Sequence, residues 1–124
     1  MRNFGDYEVW KKSIMFIKNV YAFTDLLPNK EKYNLISQLE RAAVSISLNI
    51  SEGCSRNSEK DFARFIEIAL GTAFETENIL IICNELGYTK EENAAALIDE
   101  LTVIQKMLNS LYSKLTQRWP KANS

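Results

Sequence analysis

Residues 35–53, Leu35-Ile-Ser-Gln-Leu39-Glu-Arg-Ala-Ala-Val44-Ser-Ile-Ser-Leu-Asn49-Ile-Ser-Glu-Gly53, decide the fold. At about 100° per residue, Leu35, Leu39, Ala42, Ala43, Ile46, Ile50 and Gly53 share one helical face. Gln38, Arg41, Ser45, Asn49, Glu52 and Arg56 form a second, polar stripe beside it. No charged residue stands between Arg41 and Glu52. The back of that segment carries Val44, Ser47, Leu48 and Ser51, where a surface helix would normally place Lys or Glu. A helix without a charged back is buried on more than one side. In a chain of 124 residues the second covering layer can come from another chain.

Working outward, a first helix of about 6–27 is expected, with Asp6 as N-cap and Glu8 in its first turn. Trp10, Ile14, Ile17 and Tyr21 make one apolar row, widened by Val9, Phe16, Val20, Phe23 and Leu27. Pro28 stops the helix. The second helix, about 30–53, starts from Asn29 as N-cap. Residues 53–58 make a turn. Ser58 and Asp61 then form a variant capping box at the head of a third helix, about 59–86. Its apolar face is Phe62, Phe65, Ile66, Ala69, Ala73, Thr76, Leu80 and Cys83. Gly71, in mid-helix, marks either a close helix–helix approach or nothing structural. Gly87 is the left-handed stop. Thr89-Lys-Glu-Glu92 reads as a capping box for a fourth helix, about 90–118. Its core row is Leu97, Leu101, Ile104, Leu108, Leu111 and Leu115, and Trp119-Pro120 ends it before a polar tail expected to fray.

Four helices with short connections make neighbours antiparallel. The expected fold is all-α, an up-down-up-down four-helix bundle in one domain. Ile46, Ile50, Phe65, Ala69, Leu101, Ile104 and Leu108 are its expected core.

Composition removes several function classes. The chain is 46% hydrophobic and 25% charged, ordinary for a globular protein. No apolar run reaches the roughly 18 residues of a membrane span. The start of the chain has no signal-peptide pattern, so a cytoplasmic location is expected. Cys54 and Cys83 lack metal-ligand spacing and read as buried thiols. There is no histidine. That removes Glu-x-x-His di-iron sites, His-Glu-x-x-His zinc sites and every Ser-His or Cys-His nucleophile. Glu75 and Glu77, two apart on a helix, face different directions and are no carboxylate pair. No catalytic residue, metal site or cofactor is expected.

Net charge is −1, unevenly spread. Residues 1–64 hold 10 Lys+Arg and 8 Asp+Glu, residues 65–105 hold 1 and 8, and residues 106–124 hold 4 and 0. This pattern is either a set of solvated faces or an acidic side and a basic end that orient packing between subunits. It argues against a strongly basic nucleic-acid binder.

The stripe Gln38, Arg41, Ser45, Asn49, Glu52, with Val44 and Leu48 beside it, is the candidate subunit interface. The alternative is a polar helix face against water. Lys11, Lys12, Lys18, Arg56, Lys60 and Arg64 are candidate nucleic-acid contacts on position alone.

Gln38-Leu-Glu-Arg41-Ala-Ala-Val-Ser45-Ile-Ser-Leu-Asn49-Ile-Ser-Glu52-Gly53 resembles the 23S rRNA intervening-sequence proteins. So do Tyr7-Glu-Val-Trp10, Val20-Tyr21, Arg56-Asn-Ser58, Phe62-Ala-Arg64-Phe65-Ile66 and Ala69-Leu-Gly71-Thr72-Ala-Phe-Glu75. Ser47 stands where that family often carries proline, and Thr72 where it usually carries serine. The resemblance implies a ring-like homopentamer of four-helix bundles with no catalytic activity. A related branch, the accessory proteins of diversity-generating retroelements, works with a reverse transcriptase and contacts nucleic acid. That branch is markedly basic and this chain is not. The implied reading is a self-assembling scaffold or adaptor for an RNA- or DNA-associated partner. The alternatives are a direct RNA- or DNA-binding protein and, least supported, an enzyme.

Overall fold

The computed structural model describes residues 2–117. Four α-helices carry the fold: α1 (Glu8–Thr24), α2 (Leu35–Cys54), α3 (Glu59–Glu85) and α4 (Glu91–Thr116). Among the described residues there is no strand. α1 packs on α2 and α4, and α3 packs on α2 and α4, with no close backbone approach across either diagonal. The bundle is therefore square in section, and the chain runs up, down, up and down around it.

The core follows from the apolar rows. Phe16, Leu39, Ile46, Ile50, Phe62, Ile66, Leu80, Leu101, Ile104 and Leu108 are essentially inaccessible to solvent. Ala43, Ala63, Ala69 and Ala73 let the helices approach between them. Two expectations fail here. Phe65 is only half-buried, because it sits on the α2-facing edge of α3 with the Arg56 guanidinium 4.8 Å above its ring. In α1 the buried row is Val9, Ser13, Phe16, Val20 and Phe23. Trp10, Ile14 and Ile17 are half-buried and Tyr21 is exposed. α1 turns its second row inward and leaves the first half-buried or exposed.

Helix ends differ from expectation for local reasons. Asp6 is not an N-cap. It closes a 3-10 turn, Phe4–Asp6, capped by Asn3, whose side chain accepts from the Gly5 N–H at 3.0 Å. α1 ends at Thr24, and Leu26 and Leu27 donate to Phe23 and Thr24 carbonyls in tighter turns ahead of Pro28. Asn29 starts only a 3-10 turn, Asn29–Glu31. Asn34 then breaks the backbone (φ −127°, ψ −97°), so α2 begins at Leu35. The segment is held from outside: Tyr88 Oη donates to Glu31 at 2.9 Å, and Lys30 lies over the Tyr88 ring. The Ser58 cap forms as expected, accepting from Asp61 N–H at 3.1 Å. The Thr89 cap does not. α4 starts one residue later than that box requires, leaving Lys90 at the N-cap with no side-chain bond. The expected stop at Trp119-Pro120 and the frayed tail lie outside the described residues.

Glycine roles are also reassigned. Gly87 is left-handed, φ +73°, as expected. Gly71 has nothing within 4 Å of an added Cβ, so it is not a close approach. The close approach is at Gly53, where a Cβ would lie 2.9 Å from Phe62 Cδ1. α2 runs unbroken through Ser47, whose hydroxyl donates to the Val44 carbonyl at 2.8 Å.

Candidate subunit interface

The uncharged back of α2 borders a groove of about 1040 Å³ on the outer face between α1 and α2. Arg41, Val44, Ser45 and Leu48 line it. Gln38, Asn49 and Glu52 do not. The seven candidate residues thus divide between two surfaces. Val44 is half-buried, while Leu48 is 59% exposed although apolar. Ile36, two turns earlier on α2, Tyr21 from α1 and Tyr33 from the connecting segment, 89% exposed, complete the apolar lining.

The groove wall has one polar fixture. Thr24 Oγ1 lies 2.7 Å from Glu40 Oε2 and donates to it. This ties the end of α1 to α2 and uses one lone pair of the only carboxylate on the α2 wall. Asp25, Lys32 and Arg41 stand at the rim. Among the described residues Arg41 has no ion-pair partner.

The polar stripe is bonded within its own helix. Gln38 Nε2 donates to Asn34 at 2.8 Å, Asn49 Nδ2 donates to the Ser45 carbonyl at 2.9 Å, and Arg56 pairs with Glu52 at 3.2 Å. Each is one helical turn apart. These bonds orient the side chains, with the Asn49 amide held through its Nδ2.

The six candidate nucleic-acid contacts are spread over α1, the α2–α3 turn and α3. Lys11 pairs with Glu8 at 3.2 Å, and Arg56 is engaged by Glu52 and Phe65. Lys12 lines a separate cleft between α1 and α4, beside Glu100. Lys18, Lys60 and Arg64 are exposed on α1 and α3.

Titratable chemistry is sparse. Burial pushes the Cys54 and Cys83 thiols up, with Glu31 adding to the effect at Cys83. Both thiols are free and buried. The Glu67 carboxylate raises the Tyr112 phenol. Among the described residues no group of three His, Cys, Asp or Glu side chains could hold a metal ion, and no helix is long and apolar enough to cross a membrane.

The groove residues that sequence reasoning does not assign to the interface include Tyr21, Thr24, Tyr33, Ile36 and Glu40. Tyr21 is legible as a member of an apolar row, but the row alone does not show that it borders a groove. Tyr33 had no periodic signal, because it lies in the segment read as helix and found as turn.

Comparison with known proteins matches this architecture to a family. The sequence model of the 23S rRNA-intervening sequence protein family fits residues 5–110. Among solved structures, the chain is similar to a protein of unknown function from the S23 ribosomal protein family of Bacteroides thetaiotaomicron. That likeness has 30% identity, a TM-score of 0.79, and coverage of 85% of this chain and 95% of that one. No curated protein matches. The match spans most of the chain, from the turn before α1 to the last turns of α4, so this protein belongs to the 23S rRNA-intervening sequence protein family.

Proposed function

We propose that the protein is a non-enzymatic, self-assembling helical bundle, a cytoplasmic homopentamer that serves as scaffold or adaptor for an RNA- or DNA-associated partner. The observation that carries this reading is the apolar lining formed by half-buried Val44 and exposed Leu48 on the uncharged back of α2 with exposed Tyr21 of α1 and Tyr33 of the connecting segment. A contiguous patch of that kind marks an association surface rather than a solvated one. The pentameric number and the link to an RNA- or DNA-associated partner are what the family resemblance implies.

Direct nucleic-acid binding has less support. Two of the six basic candidates are already paired, and the net charge is −1. Non-specific affinity needs several unpaired cations along one track. The non-enzymatic reading draws on the absence of histidine and on a groove whose one α2 carboxylate is bonded to Thr24.

Native mass spectrometry on the purified chain tests the assembly, with a five-chain species expected and a single chain contrary to it. Capture from native cells, with and without nuclease, tests the adaptor role. A partner held in both samples is expected, and loss of all partners on nuclease treatment would favour direct nucleic-acid binding.

A further inference from the structure

In an up-down-up-down bundle the α1–α2 and α3–α4 connections lie at the same end, and here they touch. Residues 28–34 carry no buried side chain, whereas Leu27 before them and Leu35 after them are buried. The segment is an exposed run between two apolar anchors. Pro28 and Asn34 bound it, Pro28 extended at φ −65°, ψ 142° and Asn34 outside the regular regions at φ −127°, ψ −97°. Between them the chain makes a single 3-10 turn, in which the Glu31 N–H donates to the Pro28 carbonyl at 2.9 Å and the Lys32 N–H to the Asn29 carbonyl at 3.1 Å. A piece with no apolar burial of its own opens at a much lower free energy than the bundle that carries it.

The two faces of this segment do different things. Asn29, Lys32 and Tyr33 close one end of the α1–α2 groove. Lys30 and Glu31 meet the α3–α4 connection instead. Tyr88 Oη donates to Glu31 Oε2 at 2.9 Å, and Lys30 Nζ lies 5.6 Å from the centre of the Tyr88 ring. Glu31 Oε1 accepts from Asn34 Nδ2 at 3.3 Å, and Asn34 Oδ1 accepts from Gln38 in the first turn of α2 at 2.8 Å. Glu31 therefore joins Tyr88 to the residue at which the backbone bends into α2. Among the described residues no further side-chain hydrogen bond leaves the segment. Tyr88 is itself fixed in place. Gly87, at φ +73°, turns the chain out of α3, and the Tyr88 N–H donates to the Cys83 carbonyl at 3.1 Å. Tyr88 does not line the groove.

We infer that residues 28–34 are a hinged end wall of the α1–α2 groove and that Tyr88 is the latch holding it shut, so that the α3–α4 connection controls the shape of the groove. With the latch made, Lys32 and Tyr33 are held at the groove's end. With it broken, the segment swings about Pro28 and Asn34, and the groove loses that wall. Leu27 and Leu35 stay buried, so the core keeps its packing through the movement. Tyr88 is a positioning residue, acting on the groove only through Glu31. The inference rests on the reading of the groove as an association surface and adds what regulates it.

Limited trypsin digestion tests this directly, because Lys30 and Lys32 lie in the segment while Arg41, Arg64 and Lys106 lie within α2, α3 and α4. Cleavage of a folded chain follows the population of the open form. Tyr88→Phe keeps the ring beneath Lys30 and removes the bond to Glu31. It should speed cleavage at Lys30 and Lys32 by about tenfold, the scale of one hydrogen bond to a charged group, with the three helical sites and the thermal melt unchanged. Glu31→Ala should act at least as strongly, and adding Tyr88→Phe to it should speed cleavage no further, because the two residues form one latch. Unchanged cleavage in Tyr88→Phe, an equal rise at the helical sites, or additive effects in the double variant would overturn the latch. The groove is read by light scattering over a dilution series. Tyr88→Phe should dissociate at a several-fold higher concentration than the wild type, and faster cleavage with unaltered assembly would overturn its control of the groove. A monomeric wild type would overturn self-assembly instead, and the cleavage result would then decide the latch by itself.

Discussion

Gly53 lies directly against Phe62 across the α2–α3 turn, so closely that an added Cβ would meet Phe62 Cδ1 at 2.9 Å and Phe65 Cβ at 3.0 Å. Phe62 is fully buried and braced by Tyr7, whose ring stands edge-on at 5.9 Å. The Arg2 guanidinium lies over the same Phe62 ring at 4.5 Å and donates to the Arg56 carbonyl at 2.7 Å. The ring therefore has little room to yield. Gly53→Ala should destabilise by about 1–3 kcal/mol through overpacking, despite alanine's better helix propensity. Gly71→Ala, where nothing lies within 4 Å, should instead stabilise by about 0.4–1 kcal/mol. Urea unfolding of the two variants checks the pair, and shifts of the same sign would contradict the packing described.

Leu108 is fully buried on the inner face of α4. Leu108→Ala should cost about 2–5 kcal/mol, the range for losing a buried leucine and leaving a partly relaxed cavity. A loss below about 1 kcal/mol would mean the site is solvated or easily collapsed.

Cys54 and Cys83 hold their protons more tightly in the folded chain, chiefly through burial. A raised folded pKa gives stability that is complete below the unfolded value and lost as pH climbs toward the folded one. Stability should therefore fall from about pH 9 upward, and less steeply in Cys54→Ala/Cys83→Ala once its own baseline is subtracted. At neutral pH both thiols should react with an aromatic disulfide reagent only as fast as the chain opens. Immediate reaction of either thiol in the native protein would contradict the burial.

With a net charge of −1 and its cations dispersed, the protein should bind generic duplex weakly and lose that binding at physiological salt. Fluorescence anisotropy across a salt series measures this. Tight binding that persists at high salt would contradict this and point to a continuous basic track through Lys11, Lys12, Lys18, Arg56, Lys60 and Arg64.

The four helices and six of the seven expected core residues were legible because their apolar rows follow the helical period. Phe65 was the exception, and periodicity carries no information about which edge of a wide face meets solvent. The same limit applies to Tyr21, whose row is apolar but borders the groove. Segment 28–34 was illegible for another reason: its turn depends on Tyr88 reaching Glu31 from 57 residues away. Gly71 and Gly53 look alike in sequence, and only the neighbouring helix distinguishes them. Val44 and Leu48 were legible as an uncharged back, but the groove they line needs Tyr33 and Tyr21 from other segments.

The scattering mass of the wild type beside Val44→Glu/Leu48→Glu is the most direct measurement. At micromolar concentration the wild type should have the mass of five chains and the double variant that of one, with matching helical content. A wild type with the mass of a single chain would contradict self-assembly, and a double variant that assembles like the wild type would remove the α1–α2 groove from the contact.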